Sequence, residues 1–231
     1  MALLPMMWNL DNDLLSMKVL IYVEGISDRL LLEQYCHKLK CEGIITSDWE
    51  IECKDVGGWT KIDSDKGEVY RNNMKRNTSA HGKNLLVFDA DENPCTRRNE
   101  IMSWHKKYGI DFELFLLPNN QDSGVVETLL EQIINPQNQC VIDCWHRYEE
   151  NLSKQTIEWK VPSTPTSPSE KSKIYGYLEA LVGKSKKEKE SIKDSNRDFS
   201  DVRYWDLDAL ALQPLKGFLK QHLGDERSPN M

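Results

Sequence analysis

Two short acidic motifs hold the residue types most able to do chemistry. The first is Val23-Glu24-Gly25-Ile26-Ser27-Asp28. It ends an apolar run over 18–23 that reads as a buried strand. A carboxylate at the tip of such a strand, a glycine that permits a tight turn and close approach of a ligand, and a further acid one helical turn on can present two carboxylates to one point. The second motif is Phe88-Asp89-Ala90-Asp91-Glu92-Asn93, which follows Leu85-Leu86-Val87. Aspartates at i and i+2 leave an extended strand on the same face. Hard divalent cations take oxygen ligands, and magnesium is commonly held by one or two carboxylates together with water and substrate phosphate. Each motif also has a plain reading. Asp28 can be an ordinary first-turn acid favoured by the helix dipole, and Asp89-x-Asp91 can be a solvated turn.

The elements that must position these acids follow from the apolar pattern. Short β-forming runs at 18–23, 51–56, 84–90 and 113–117 alternate with helical stretches at 28–40, 67–76, 96–107, 124–134 and 141–152. Ser27 is the expected cap of the first helix, with Leu30, Leu31, Tyr35 and Leu39 facing inward. At 3.6 residues per turn, Val126, Leu129, Leu130, Ile133 and Ile134 share one arc, with Glu127 and Glu131 at its edge. The expected fold is α/β, a mostly parallel Rossmann-like sheet of about four strands flanked by helices, with a C-terminal helical extension. In such sheets functional residues gather at the carboxyl ends of strands, where Glu24, Asp89 and Asp91 fall. The Pro- and Ser-rich stretch 160–173 reads as a linker or long loop between a core over 1–159 and an extension over 174–231. In the extension, 174–182 reads as an amphipathic helix and 183–193 as a charge run. The stretch 202–223 brings back Trp205, Leu207, Leu210, Leu215 and Phe218, which need something to pack on. The last residues, 225–231, are expected to fray.

Together the motifs are far more specific than either alone. Glu-Gly-x-x-Asp after one strand and Asp-x-Asp after a later one resembles the TOPRIM superfamily of topoisomerases, bacterial primases and OLD-type nucleases. The stretch around Leu117-Pro118-Asn119-Asn120, running on through Glu127, resembles small OLD-like and uncharacterised bacterial TOPRIM proteins. The resemblance implies a fold and a chemistry: a metal-dependent phosphodiester hydrolase using Mg²⁺ or Mn²⁺. Asp89 and Asp91 would hold the metal, and Glu24 would act as general base or acid or share a second metal. Asp28 and Glu127 would complete the shell, and Gly25 would keep the turn open. OLD-type sites add a basic residue near the phosphate, for which Lys61, Lys83 and Arg97 are candidates. The implied partners are nucleic acid, DNA ahead of RNA, and an ATPase on another chain, since no GxxxxGK[ST] is present. A role as effector subunit of a bacterial defence or DNA-processing complex goes with that implication.

Several departures and alternatives bound this reading. The chain lacks room for the tyrosine-bearing apparatus of a topoisomerase, and the zinc-binding domain of a primase is not found. A TOPRIM-like module that is silent without an ATPase partner remains open. So does a phosphatase or glycosyltransferase reading of Asp89-x-Asp91, although the former wants its DxD on the first strand and the latter leaves the Glu24 motif unexplained. Gly57-Gly58-Trp59 reads equally as a site-shaping loop or a simple strand-ending turn.

Composition narrows the classes further. The chain has 231 residues, 39% apolar and 29% charged, with seven tryptophans, enough for a sizeable core. Its net charge of -7 excludes bulk electrostatic gripping of nucleic acid, so any phosphate contact must be local. Arg71 to Arg76 and Lys184 to Lys193 are the basic runs available for it, and each reads equally as a solvated helix face. No stretch approaches the roughly 20 apolar residues of a membrane span, and 1–10 lacks the basic start of a signal peptide, so the cytoplasm is the expected compartment. The six cysteines form no secreted-type framework. Cys140-x3-Cys144-x-His146 lacks the second pair of a zinc site, and buried reduced thiols are expected. The oligomeric state is open.

Overall fold

A computed structural model describes residues 17–46 and 48–224. The readings of 1–10 and 225–231 lie outside the described residues. Four strands, β1 (Met17–Val23), β2 (Trp49–Asp55), β3 (Lys83–Asp89) and β4 (Glu113–Leu117), form one sheet in the order β2-β1-β3-β4. Every pairing is parallel, with Val23 opposite both Asp55 and Val87, and Asp89 opposite Leu117. The fold is therefore the expected Rossmann-like α/β sheet. The four strands were legible because β1 and β3 are covered on both faces and read as unbroken apolar runs.

Alternation along the strands splits the interior into two cores. Val19, Ile21, Val23, Leu85, Val87, Phe115 and Leu117 point to one face, where Leu31, Leu32, Tyr35 and Leu39 of α1 (Ile26–Cys41) meet them. Leu20, Tyr22, Leu86, Phe88 and Leu116 point to the other. There Met74 of α3 (Glu68–Ser79) and Ile101 and Trp104 of α4 (Pro94–Tyr108) cover them. A short α2 (Trp59–Asp63) precedes α3. The α4 boundaries are written in the sequence. The Asn93 side chain accepts from the Thr96 N–H at 3.0 Å, Pro94 occupies the first turn, and Gly109 ends the helix in the left-handed region at φ 57°.

The chain order has a direct consequence for the site. From β1 the chain moves outward to β2; from β3 it moves the opposite way to β4. The crevice beyond the carboxyl ends of β1 and β3 is thus the topological switch point, the place where open α/β sheets bind ligands.

The remaining helices lie over the α1 face. They are α5 (Val126–Gln132), α6 (Gln139–Ser153), α7 (Glu170–Leu181), α8 (Lys186–Ser191) and α9 (Gln213–Leu223). Ile174, Tyr177, Leu178, Phe199, Trp205, Leu215, Leu219 and Leu223 belong to the same core cluster as β1 and α1. Phe218 sets its ring 5.3 Å from that of Phe115 on β4. Residues 154–169 carry no helix or strand, and α7 starts at Glu170, inside the stretch read as linker. The Ser169 hydroxyl caps it by accepting from Ser172 N–H, which recruits the end of the Pro/Ser run into the helix start. Among the described residues no helix is long and apolar enough to cross a membrane.

Two local expectations are corrected. Ser27 does not cap α1. The helix begins at Ile26 with Gly25 at the cap position, and the Ser27 hydroxyl is buried, accepting from Arg197 at 2.9 Å. Of the cysteines, all free, Cys36 and Cys53 are buried as expected, but Cys41, Cys95, Cys140 and Cys144 are exposed.

Candidate functional site

Glu24 is the first residue beyond β1, and its side chain is 16% exposed. The turn Gly57-Gly58-Trp59 closes over it. Gly57 and Gly58 adopt φ of 72° and 98°, a region that L side chains rarely enter. That conformation turns the Gly58 N–H onto the Glu24 carbonyl at 3.0 Å and the Trp59 N–H onto its Oε2 at 3.2 Å. Oε1 accepts from the Asp89 N–H at 3.3 Å, which ties the tip of β1 to the end of β3. Both readings of Gly57-Gly58-Trp59 describe this turn, which follows the end of β2 at Asp55 and donates to Glu24.

Asp28 lies in the first turn of α1 and is almost fully buried. Its Oδ2 accepts from the Gly25 N–H at 3.0 Å, supplying the orphan donor at the helix start with a partner. Gly25 itself is extended, with φ -138°, and a Cβ there would meet the Asp28 carboxylate only at ordinary contact distance. The backbone therefore does not demand glycine at this position, contrary to the tight-turn expectation.

Asp89 ends β3, and its Oδ1 accepts from the Val126 N–H at the start of α5 at 2.9 Å. Asp91 sits in the left-handed region at φ 51°, held there by paired backbone hydrogen bonds with Gly124 at 2.9 and 2.8 Å. Its carboxylate is half exposed. Glu127, one residue past Val126, is half-buried and close enough to act electrostatically on both Asp28 and Asp89. The fold thus gathers the five acids singled out in the sequence around the switch point.

Burial and mutual repulsion strain their ionisation. Burial first, then Asp28, Glu24, Glu127 and Asp91, push the Asp89 carboxyl up to about 8. Burial raises Asp28 to about 7, with Glu127 and Glu24 adding to it and the Gly25 N–H opposing. Glu24 is raised by burial too, against the opposing pull of Arg97 and the Trp59 N–H. A donor set of oxygens alone, unable to carry its full charge unaided, fits a hard divalent cation. Among the described residues no three His, Cys, Asp or Glu side chains already converge at metal-holding distance.

Arg97 is the basic residue that pairs with these acids directly, while Lys171 and Arg197 act on Glu127 from farther off. Arg97, in the first turns of α4, is 12% exposed. It ion-pairs with Asp91, lies 3.7 Å from Glu24 Oε1, and donates from Nε to the Asp89 carbonyl at 3.2 Å. The other two candidates fall elsewhere. Lys83 is at the opposite end of β3, where its ammonium donates to the His222 carbonyl at 2.7 Å. Lys61 is exposed on α2 and folds back over Gly57. Arg71, in the basic run on α3, is buried and donates to the carbonyls of Ile62 and Ser64 at 2.7 and 2.9 Å, so it is a packing residue. Glu131 does not join the site. His146 and Lys173 hold its carboxylate at 2.6 and 3.0 Å.

The sequence did not single out Arg97 or the backbone donors of Trp59 and Val126. A signal for Arg97 existed. Asn93-Pro94 fixes the start of α4 just beyond Asp91, and helical side chains lean back toward the helix N-terminus, here toward the strand ends.

Fold and site define a class: a Rossmann-like α/β protein with a partly buried carboxylate cluster, paired with Arg97, at its topological switch point. The chain belongs to the DUF3226 family, described as a protein of unknown function, whose pattern matches residues 18–224. No curated protein and no solved structure matches it.

Proposed function

We propose that this chain is a TOPRIM-type, metal-dependent phosphodiester hydrolase acting on nucleic acid, DNA in preference to RNA. The observation that carries the proposal is the cluster itself: Glu24, Asp28, Asp91 and Glu127 all lie within electrostatic reach of Asp89 around the switch point, and with burial raise it to about 8. Crowding five acids, three of them largely buried, serves no packing purpose. Asp89 and Asp91, with Asp28 and Glu127 behind them, would hold Mg²⁺ or Mn²⁺. The ion would stabilise charge on the oxygens of the scissile phosphate. Glu24 is fixed by two backbone N–H groups and held above the usual carboxylate range by burial. It is suited to take a proton from an attacking water. With a net charge of -7, the protein needs local contacts for the phosphate, and Arg97 is the cation in place. The reading sets the chain to work in the cytoplasm, as an effector subunit beside an ATPase on another chain.

The test is cleavage of plasmid DNA, single-stranded DNA and RNA with Mg²⁺ or Mn²⁺, by wild type, Glu24→Ala and Asp89→Ala. Metal-dependent cleavage that disappears in both variants is expected, and the substrate that is cut names the class. Cleavage that survives both substitutions assigns the activity to something other than this cluster. If wild type cuts none of the three, the self-sufficient enzyme is rejected in favour of a module silent without its ATPase partner.

A further inference from the structure

Arg97 makes more contacts with the cluster than phosphate binding alone would require. Its guanidinium pairs with Asp91 and approaches Glu24, so a fixed positive charge lies between an acid assigned to cation binding and the acid assigned as base. The residue has two kinds of attachment. Nε donates to the Asp89 carbonyl at 3.2 Å, and the guanidinium lies 5.9 Å from the centre of the Trp59 ring. Both tethers are independent of the acidic side chains. The terminal nitrogens instead divide between partners on opposite sides: NH2 faces Asp91 and Glu24, while NH1 lies 3.6 Å from Glu100 on α4 itself. Glu100 is half exposed and outside the cluster. The Asp91 backbone is pinned to Gly124, whereas its carboxylate is 49% exposed and can exchange one cationic partner for another without moving the chain.

We propose that Arg97 is a built-in counter-cation: it neutralises the carboxylates when no divalent ion is bound, and it yields Asp91 and turns toward Glu100 when one binds. The inference rests on the reading of the cluster as a divalent-cation site. Its consequence is regulatory. A cation entering the site must displace a charge already there, so Arg97 weakens binding and sets the ion concentration at which the site fills. It also leaves the guanidinium, still anchored to the Asp89 carbonyl, at the edge of the filled site.

The experiment measures Mn²⁺ binding to the full chain by calorimetry for wild type, Arg97→Gln and Asp91→Asn, with folding checked by circular dichroism. Removing one unit charge a few ångströms from a bound cation changes affinity on the order of tenfold or more. Arg97→Gln is therefore expected to bind Mn²⁺ about tenfold tighter than wild type, and Asp91→Asn to bind it more weakly. Unchanged or weaker binding by folded Arg97→Gln overturns the counter-cation. If wild type and Arg97→Gln alike bind no Mn²⁺, the cation site fails with it. A second measurement needs no variant: in wild type, the Arg97 Nε–H resonance should shift as Mg²⁺ is added. Saturable Mg²⁺ binding that leaves this resonance unmoved refutes the displacement even if Arg97→Gln does not fold.

Discussion

At the residue scale, Asp89 carries the clearest physical signature. An aspartate in an unfolded chain ionises near 4. In the fold, burial and four neighbouring acids raise Asp89 to about 8, and burial with Glu127 and Glu24 raises Asp28 to about 7. The sign follows from proton counting. Between about pH 4 and pH 8 the folded state holds protons that the unfolded state has released, so stability is greatest below that window and falls as pH rises through it. Asp89→Asn keeps an acceptor for the Val126 N–H and removes the charge. Melting in chelator at pH 8 should show the variant more stable than wild type by about 2–5 kcal/mol, on the order of 5–15 °C, with the difference shrinking toward pH 4. Adding Mg²⁺ should raise the melting temperature of wild type and leave the variant nearly unmoved. An Asp89→Asn protein less stable than wild type at pH 8 would show that the carboxylate is not under repulsive strain. Glu24, Asp89 and Asp91 were legible because acids at strand ends violate the apolar pattern around them, whereas Asp28 and Glu127, on the first turns of helices, stood out through the resemblance. Arg97 was a candidate that could not be told from Lys61 and Lys83, because one arginine in a helix rich in charged residues breaks no pattern.

At the element scale, loops do the positioning. The Gly57-Gly58-Trp59 turn aims two N–H groups at Glu24, and only its backbone conformation makes that possible. A Cβ at Gly58 would meet nothing within 4 Å, so Gly58→Ala would suffer no clash, only the penalty of φ 98°. The expected cost is about 1–2 kcal/mol of stability by urea denaturation, together with loss of the proposed cleavage as Trp59 N–H leaves Glu24. Full activity in Gly58→Ala would show that this turn does not orient the acid. Gly67 is limited differently. A Cβ there would come within 2.0 Å of the Ile62 carbonyl, so Gly67→Ala forces backbone apart and should be the more damaging of the two. The sequence marks such a turn through paired glycines, yet the direction of its N–H groups depends on which strand end it folds over. That is set by the order β2-β1-β3-β4, and single-strand periodicity does not encode it. The same limit explains Ser27. Its type favours a cap, but Arg197, far along the chain, takes the hydroxyl in the folded molecule, and Asp28 satisfies the helix start instead.

At the scale of the whole molecule, the residues after the Pro/Ser stretch are structural partners of the sheet. Trp205, Phe199 and Tyr177 are almost fully buried and pack ring against ring, with centroids 5.2 Å apart for Phe199 and Trp205 and 5.8 Å for Tyr177 and Trp205. Leu215, Leu219 and Leu223 of α9 lie in the core that also holds Val19, Ile21 and Leu85. Polar ties reinforce the packing. Arg197, 3% exposed, donates to Ser27 beside Asp28 and to Asp194, and Lys173 pairs with Glu131 on α5. Through Ser27 and α5 the extension braces two of the elements that carry site acids. Burial of a large aliphatic or aromatic side chain contributes about 1.5–3 kcal/mol, so removing this many exceeds the 5–15 kcal/mol that holds a typical domain together. A chain ended at residue 169 should therefore lack a cooperative thermal transition and expose its apolar sheet face to hydrophobic dyes. A sharp melt with wild-type Mn²⁺ binding from that truncated chain would instead make the sheet and its acids an independent unit. The subtler variant Arg197→Met keeps the bulk and removes the charge. It leaves Asp194 to Lys171 and the Ser27 hydroxyl without its donor, and should cost on the order of 3 kcal/mol. If the extension braces the site, that loss should be accompanied by weaker Mn²⁺ binding, because Ser27 and Asp28 are adjacent on the same helical turn.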